Sequence, residues 1–173
     1  MLPVSDRILY EDNHLVAVNK LCSEIVQGDR TGDATLADDI RQYLKQKYGK
    51  PGNVYLGIPH RLDRPTSGIV LYCKTEKALV RMNNLFREGG VEKYYWALCD
   101  RSPGAEEGRL EHWITRNAEK NISRAYADRR PGSQNAVLEY RVLKQLDRYV
   151  LLQIHLLTGR HHQIRAQLAA CNS

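Results

Sequence analysis

The chain has little that would place it outside a reducing compartment. It carries four cysteines in 173 residues, Cys22, Cys73, Cys99 and Cys171, spaced far apart and with no Cys-x-x-Cys pair. A disulfide framework is therefore not indicated, and buried reduced thiols are the plain expectation. No apolar run approaches the length needed to cross a bilayer. Residues 1–7 lack the apolar core of a secretory leader, and Asp6, Glu11 and Asp12 come early. The expected location is the cytoplasm, with no membrane partner. His60, His161 and His162 fit no common zinc spacing and have no evident acidic co-ligands, so no metal is expected. There is no glycine-rich phosphate loop, dinucleotide fingerprint, repeat or low-complexity segment.

What is present is basic charge. Lysine and arginine number 26 against 20 acidic residues, a net charge of +6. Such an excess favours a polyanionic partner, nucleic acid above all, although a merely basic soluble protein has the same balance. The arginines are spread through the chain rather than gathered in a tail, as a basic groove requires. At 173 residues one domain is expected, large enough to bury a core.

Patterning predicts many strands and few helices. Residues 8–11 and 15–19 read as strands around an Asp12-Asn13 turn, and 21–34 as a loop. A helix starts after Thr35, carries Leu36, Ile40 and Leu44 on one face and ends at Gly49 and Pro51. After a 50–59 loop comes a strand over 69–73. A second helix follows, capped by Thr75, striped by Leu79, Met82, Leu85 and Phe86, and stopped by Gly89-Gly90. Residues 91–99 alternate as a strand, with Lys93, Tyr95 and Ala97 on one face. Tyr94, Trp96 and Leu98 take the other face, on which Tyr94 and Trp96 are expected to point toward packing. Residues 101–108 read as a loop. Strands follow near 109–115, 123–127, 135–146 and 148–157, with a hairpin at Asp147-Arg148 and a final helix over 162–170. The fold class is α+β, built on a mixed, largely antiparallel sheet.

The most telling segment is His60-Arg61-Leu62-Asp63-Arg64-Pro65-Thr66-Ser67-Gly68. It sets a carboxylate between two guanidinium groups, which favour its ionised form. Both a salt-bridge network and an anion poised as nucleophile or base fit that pattern. Three further segments accompany it in order. They are Ile8–Asp12 with Val16–Lys20, then Lys93-Tyr94-Tyr95-Trp96-Ala97, then Leu157-Thr158-Gly159-Arg160-His161-His162-Gln163-Ile164-Arg165.

Together these resemble the RluA family of RNA pseudouridine synthases. The resemblance implies the pseudouridine-synthase fold, with a catalytic cleft across the middle of the sheet, and isomerisation of uridine in rRNA or tRNA by a monomer that needs no cofactor. It implies that Asp63 is the catalytic carboxylate and that Arg165 is the cation that orients it. Tyr95 would stack on the uracil and is a candidate for taking the C5 proton, and Ile164 would pack on the base from its other side. Arg61 would enter the space left by the flipped nucleotide. Lys93, Arg160 and His60 would serve phosphates or hold the cleft. An Asp63–Arg165 separation within about 5 Å is expected on this reading.

The chain departs from the family pattern at Leu21 and at Ala166-Gln167. The family's optional amino-terminal RNA-binding module is expected to be absent, and the family's continuation beyond the last helix is expected to be missing. Two other readings fit less well. One is an RNA-binding protein on the same fold that no longer catalyses. The other is a glycoside hydrolase with Asp63 as nucleophile, which would need a second carboxylate.

Overall fold

A computed structural model describes residues 2–28 and 32–173. Of the loop expected over 21–34, residues 29–31 lie outside the described residues. The chain divides into two compact units, Met1–Glu88 and Gly89–Ser173.

The first unit holds a three-stranded antiparallel sheet in the order β1 (Ile8–Glu11), β2 (Leu15–Lys20), β3 (Gly68–Cys73). The Asp12 side chain closes the β1–β2 turn by accepting from the His14 and Leu15 N–H groups at 2.7 and 2.6 Å. Helix α1 (Leu36–Lys47) begins where Thr35 Oγ1 accepts the Asp38 N–H, and helix α2 (Glu76–Arg87) where Thr75 does the same for Ala78. Each hydroxyl satisfies a donor that the first helical turn leaves without a backbone partner. The core joins Val16, Val18, Val70 and Tyr72 from the sheet to Leu36, Ile40 and Leu44 of α1, as the helical spacing anticipates.

Three features depart from the sequence reading. A 3-10 turn at Val4–Arg7 precedes β1 and buries Arg7, whose charge is met by Glu24 at 2.8 Å. On α2 Ala78 is buried and Leu79, Met82 and Phe86 are half-buried, but Leu85, expected in the same stripe, is 44% exposed. Cys22 is exposed and Cys171 only half-buried, whereas Cys73 and Cys99 are buried; all four are free.

Glu11, at the end of β1, ties α1 to β3. Its carboxylate accepts from Lys74 (2.8 Å), Lys47 (2.9 Å), the Tyr48 hydroxyl (2.6 Å) and the Tyr43 hydroxyl (3.0 Å). Burial works against its charge, but these four donors overcome burial and hold its pKa down at about 2.

The second unit holds a five-stranded antiparallel sheet. Its strands are β4 (Tyr94–Cys99), β5 (Glu107–Asn117), β6 (Ile122–Tyr126), β7 (Gln134–Gln145) and β8 (Val150–Leu156), in the order β4-β8-β7-β5-β6. Asp147-Arg148 makes the β7–β8 turn, where the Leu146 N–H reaches the Tyr149 carbonyl at 2.8 Å. Helix α3 (Gln163–Ala170) lays Ile164 and Leu168 on a sheet face built from Leu138, Tyr140, Leu152 and Ile154. Strand β5 begins at Glu107, inside the segment expected as a loop, because Glu107 and Gly108 pair with Arg141 and Tyr140 of β7.

The α+β class with largely antiparallel pairing is the one expected, and among the described residues the strands are arranged as two antiparallel sheets. The assignment of faces on β4 is also corrected. Tyr95 and Ala97 pack on the core, whereas Tyr94, Trp96 and Leu98 face solvent, Trp96 at 74% exposure. The reason is register. Tyr95 and Ala97 stand opposite Ile154 and Leu152, whose side chains share their face, and that face is the one α3 covers. Residue size alone does not choose the face.

Candidate active site

The residues singled out in the sequence fall into two groups, one in each unit. In the first unit Asp63 sits in a turn closed by the Thr66 N–H bonding to the Asp63 carbonyl at 2.9 Å, with Arg64 and Pro65 at its corners. The side chain of Asp63 is half-buried and Arg61 is exposed. Strand β3 starts directly after this turn at Gly68, whose φ of +135° is a conformation that side chains disfavour. This accounts physically for glycine at the end of the Thr-Ser-Gly segment.

The turn is built around a lysine to which the sequence reading gave no role. Lys20 is fully buried, and its ammonium donates to the carbonyls of Thr66 (2.6 Å), Arg64 (3.1 Å) and Leu21 (3.1 Å). All three ammonium hydrogens thus have acceptors, two of them in the segment that carries Asp63. Burial lowers the Lys20 pKa, and the charges of Glu24, Cys22 and Asp63 act against that shift. The signal that could have found it is a lysine ending the strand that the Val16-Ala17-Val18 run buries, since such a buried cation needs several acceptors to hold it.

Further contacts fix the same loop. Arg64, one of the two guanidinium groups flanking Asp63, pairs with Asp33 at 2.9 Å and donates to the Ser23 carbonyl at 3.2 Å. The Ser23 N–H returns a bond to the Arg64 carbonyl at 2.9 Å. His60 Nε2 accepts the Leu71 N–H at 2.9 Å, and its ring lies 5.0 Å from that of Phe86. The Nε2 lone pair is therefore engaged with the β3 backbone, which anchors the start of the loop.

In the second unit, Tyr95 of β4 and Ile164 of α3 pack against the same apolar cluster, and Arg165, exposed, is the next residue of α3. Lys93 shares the strand face of Tyr95 by alternation. Its ammonium lies 3.8 Å from where a Cβ would stand on Gly159. Burial lowers the Lys93 pKa, and the charge of Arg160 lowers it further. Two cations in one neighbourhood favour an anion beside them.

Gln163, also given no role from the sequence, organises this half. It is 3% exposed. Its Oε1 accepts from the Thr158 hydroxyl at 2.8 Å and from the Arg160 N–H at 2.9 Å, while its Nε2 donates to the Val137 carbonyl at 3.1 Å. The Arg160 side chain is held in turn by its Nε bonding to the Asn135 carbonyl at 2.9 Å. The Thr-Gly-Arg-x-x-Gln part of the segment is thus a closed hydrogen-bond set that fixes the start of α3. Gln167, one of the departures from the family pattern, is fully buried and donates to the carbonyls of Leu110 and Ala136, both at 3.1 Å.

His161 and His162 stack at 3.6 Å, and His161 bonds to Ser123 Oγ (2.8 Å) and Asn121 Oδ1 (3.1 Å). Among the described residues no three His, Cys, Asp or Glu side chains converge to hold a metal ion. No helix among them is long and apolar enough to cross a membrane.

Comparison with known proteins finds matches in both sequence and structure. Residues 14–170 match a family model described as RNA pseudouridylate synthase. The chain is 30% identical over 180 residues to a tRNA pseudouridine synthase C of Vibrio parahaemolyticus, covering 98% of this chain and 70% of that one. It is 32% identical over 171 residues to a ribosomal large subunit pseudouridine synthase C of Rickettsia prowazekii, covering 97% of this chain and 54% of the relative. Among solved structures, human RNA pseudouridylate synthase domain containing 4 superposes with a TM-score of 0.81 at 25% identity, over 96% of this chain and 65% of that one. The chain spans about half the length of several curated relatives it matches.

Proposed function

The chain belongs to the RNA pseudouridylate synthase family, and we propose that it isomerises uridine to pseudouridine in rRNA or tRNA, with Asp63 as the catalytic carboxylate. The observation that carries this reading is the family match over 14–170, which takes in the Asp63, Tyr95 and Arg165 segments together. Relatives named for ribosomal RNA and for transfer RNA both match, which supports these two substrate classes. The cytoplasm, a monomeric state and the absence of a cofactor belong to the same proposal; four free cysteines agree with a reducing compartment.

The reaction breaks the bond from C1′ to N1, turns the uracil and rejoins it through C5, so substrate and product have the same atoms. Asp63 acts on the nucleotide as an anion, and a turn held at the Arg64 and Thr66 carbonyls by Lys20 gives it a fixed origin. Arg165 is the cation that keeps it charged and oriented. Tyr95 stacks on the base and takes the C5 proton at the end; a phenol is a weak base at neutral pH, so this role needs a cation beside it, the second task of Arg165. Ile164 bounds the base on its other side. Exposed Arg61 fills the stack after flipping, for which a planar cation is suited. Lys93 and Arg160 receive the phosphate, the two-cation arrangement favouring an anion, and His60 holds the loop through the Leu71 N–H.

The test is Asp63→Asn, which keeps size and removes charge. Pseudouridine formation in rRNA and tRNA should be abolished while RNA affinity stays within a few-fold of wild type. Turnover near wild type in that variant would end the assignment of Asp63, and RNA binding without any isomerisation by the wild-type chain would leave a binding protein on this fold.

A further inference from the structure

On the face of the second unit's sheet turned away from α3, two aromatic rings lie side by side under two guanidinium groups. Trp113 of β5 and Tyr126 of β6 are direct cross-strand partners. Their neighbours Ile114 and Ala125 pack with Ala166 of α3, so alternation turns Trp113 and Tyr126 to the opposite face. Arg129 lies over the Trp113 ring and Arg130 over the Tyr126 ring, each 5.4 Å from the centroid. Arg124, two residues before Tyr126 on β6, shares that strand face. Both rings are half-buried and the three arginines exposed.

The charge here is not neutralised by design. Among the described residues Arg124, Arg129 and Arg130 form no ion pair with a carboxylate. Glu111, the nearest carboxylate on the same strand face, is engaged by Asn135 at 2.9 Å and Arg109 at 3.7 Å. Between residues 113 and 130 the chain has five basic and two acidic residues, which accounts for half of its net charge of +6. Strand β6 is the edge of the sheet, with no strand among the described residues paired on its outer side.

We infer that Trp113 and Tyr126, with Arg124, Arg129 and Arg130, form a stacking platform for unpaired bases of RNA, separate from the residues assigned to catalysis. Flat rings accept any base face, planar guanidinium groups extend the stack, and their charge meets the phosphates between successive bases. An acidic polypeptide would use the charge but leave the two paired rings without a role. The inference rests on the reading that this chain acts on RNA, and it adds where a segment flanking the target is held.

Trp96 and Trp113 are the only tryptophans, so in the full-length Trp96→Phe protein the fluorescence reports Trp113 alone. A ten-nucleotide oligouridine should quench it saturably, with binding followed in parallel by anisotropy of the labelled oligonucleotide. Arg129→Gln with Arg130→Gln, both at exposed positions that the fold does not need, should lower the salt dependence of log K by about 1.4 and weaken binding about tenfold. Tyr126→Ala should weaken it between about fivefold and a hundredfold. Oligonucleotide binding that leaves Trp113 unquenched and is unmoved by the arginine pair overturns the platform while the RNA reading stands. Loss of binding to every RNA by the wild-type chain overturns both. Quenching by polyglutamate as strong as by oligouridine overturns RNA as the occupant in favour of an acidic protein.

Discussion

Replacing Glu11 by glutamine tests how the first unit is held together, and its magnitude follows from the site. The Glu11 side chain is 7% exposed and receives four hydrogen bonds, two from lysines and two from tyrosines. Its pKa falls from 4.5 to about 2 on folding. That shift corresponds to about 3 kcal/mol of stability at neutral pH. Solvent screening takes little from the Lys74 contact, where the two side chains are 7% and 9% exposed, but it weakens those of Lys47 and Tyr48, 43% and 48% exposed, so about 3 kcal/mol is the upper limit. The pKa is depressed in the folded state, so the stabilisation is complete above about pH 4.5 and is lost as pH falls toward 2. Glu11→Gln should therefore cost up to about 3 kcal/mol at pH 7 and lose the steep acid dependence between those limits. Both tryptophans lie in the second unit, so native-state hydrogen exchange of the Val16 and Val18 amides in β2 is the suitable assay. A loss below about 1 kcal/mol at pH 7, or an acid dependence in the variant equal to wild type, would refute the reasoning.

Three further outcomes are expected. Lys20→Met removes the ammonium that binds Thr66, Arg64 and Leu21 carbonyls and should lower kcat about tenfold or more, with RNA affinity near wild type; a change in KM alone would count against a role in fixing the Asp63 turn. Gln163→Leu strips the donors and acceptors serving Thr158, Arg160 and Val137 and should cost about 2–4 kcal/mol in urea unfolding followed by Trp113 fluorescence; a neutral result would show that the set does not stabilise the start of α3. Arg61→Ala should slow isomerisation of a folded RNA more than of a flexible strand, since only the folded one must be unstacked. Equal losses on both substrates would remove the flipping role.

Several readings that rested on a local rule match the structure. Thr35 and Thr75 cap helices because a hydroxyl just before an apolar period satisfies a backbone donor, whatever lies further away. Leu138, Tyr140, Leu152 and Ile154 alternate into the core because a pleated strand leaves no other arrangement once one face is covered. The motifs that carry Asp63, Tyr95 and Arg165 were likewise legible, since they are continuous strings of residues in a fixed order.

The sequence determined the strand-rich α+β class, both helix starts, the tight turn at Asp147-Arg148 and the segments from which a site would be made. The tertiary structure decided what supports them. Lys20 acquires its role only when β2 is laid beside the start of β3 and the carbonyls of residues 64 and 66, more than forty positions away, converge on it. Gln163 does so only when α3 meets Val137 of β7. Tyr94 and Trp96 turn outward because Ile154 and Leu152 of another strand fix which face is covered. In each case the deciding energy belongs to a contact between distant segments, and hydrogen bonding and burial of that kind have no period along the chain from which to be read.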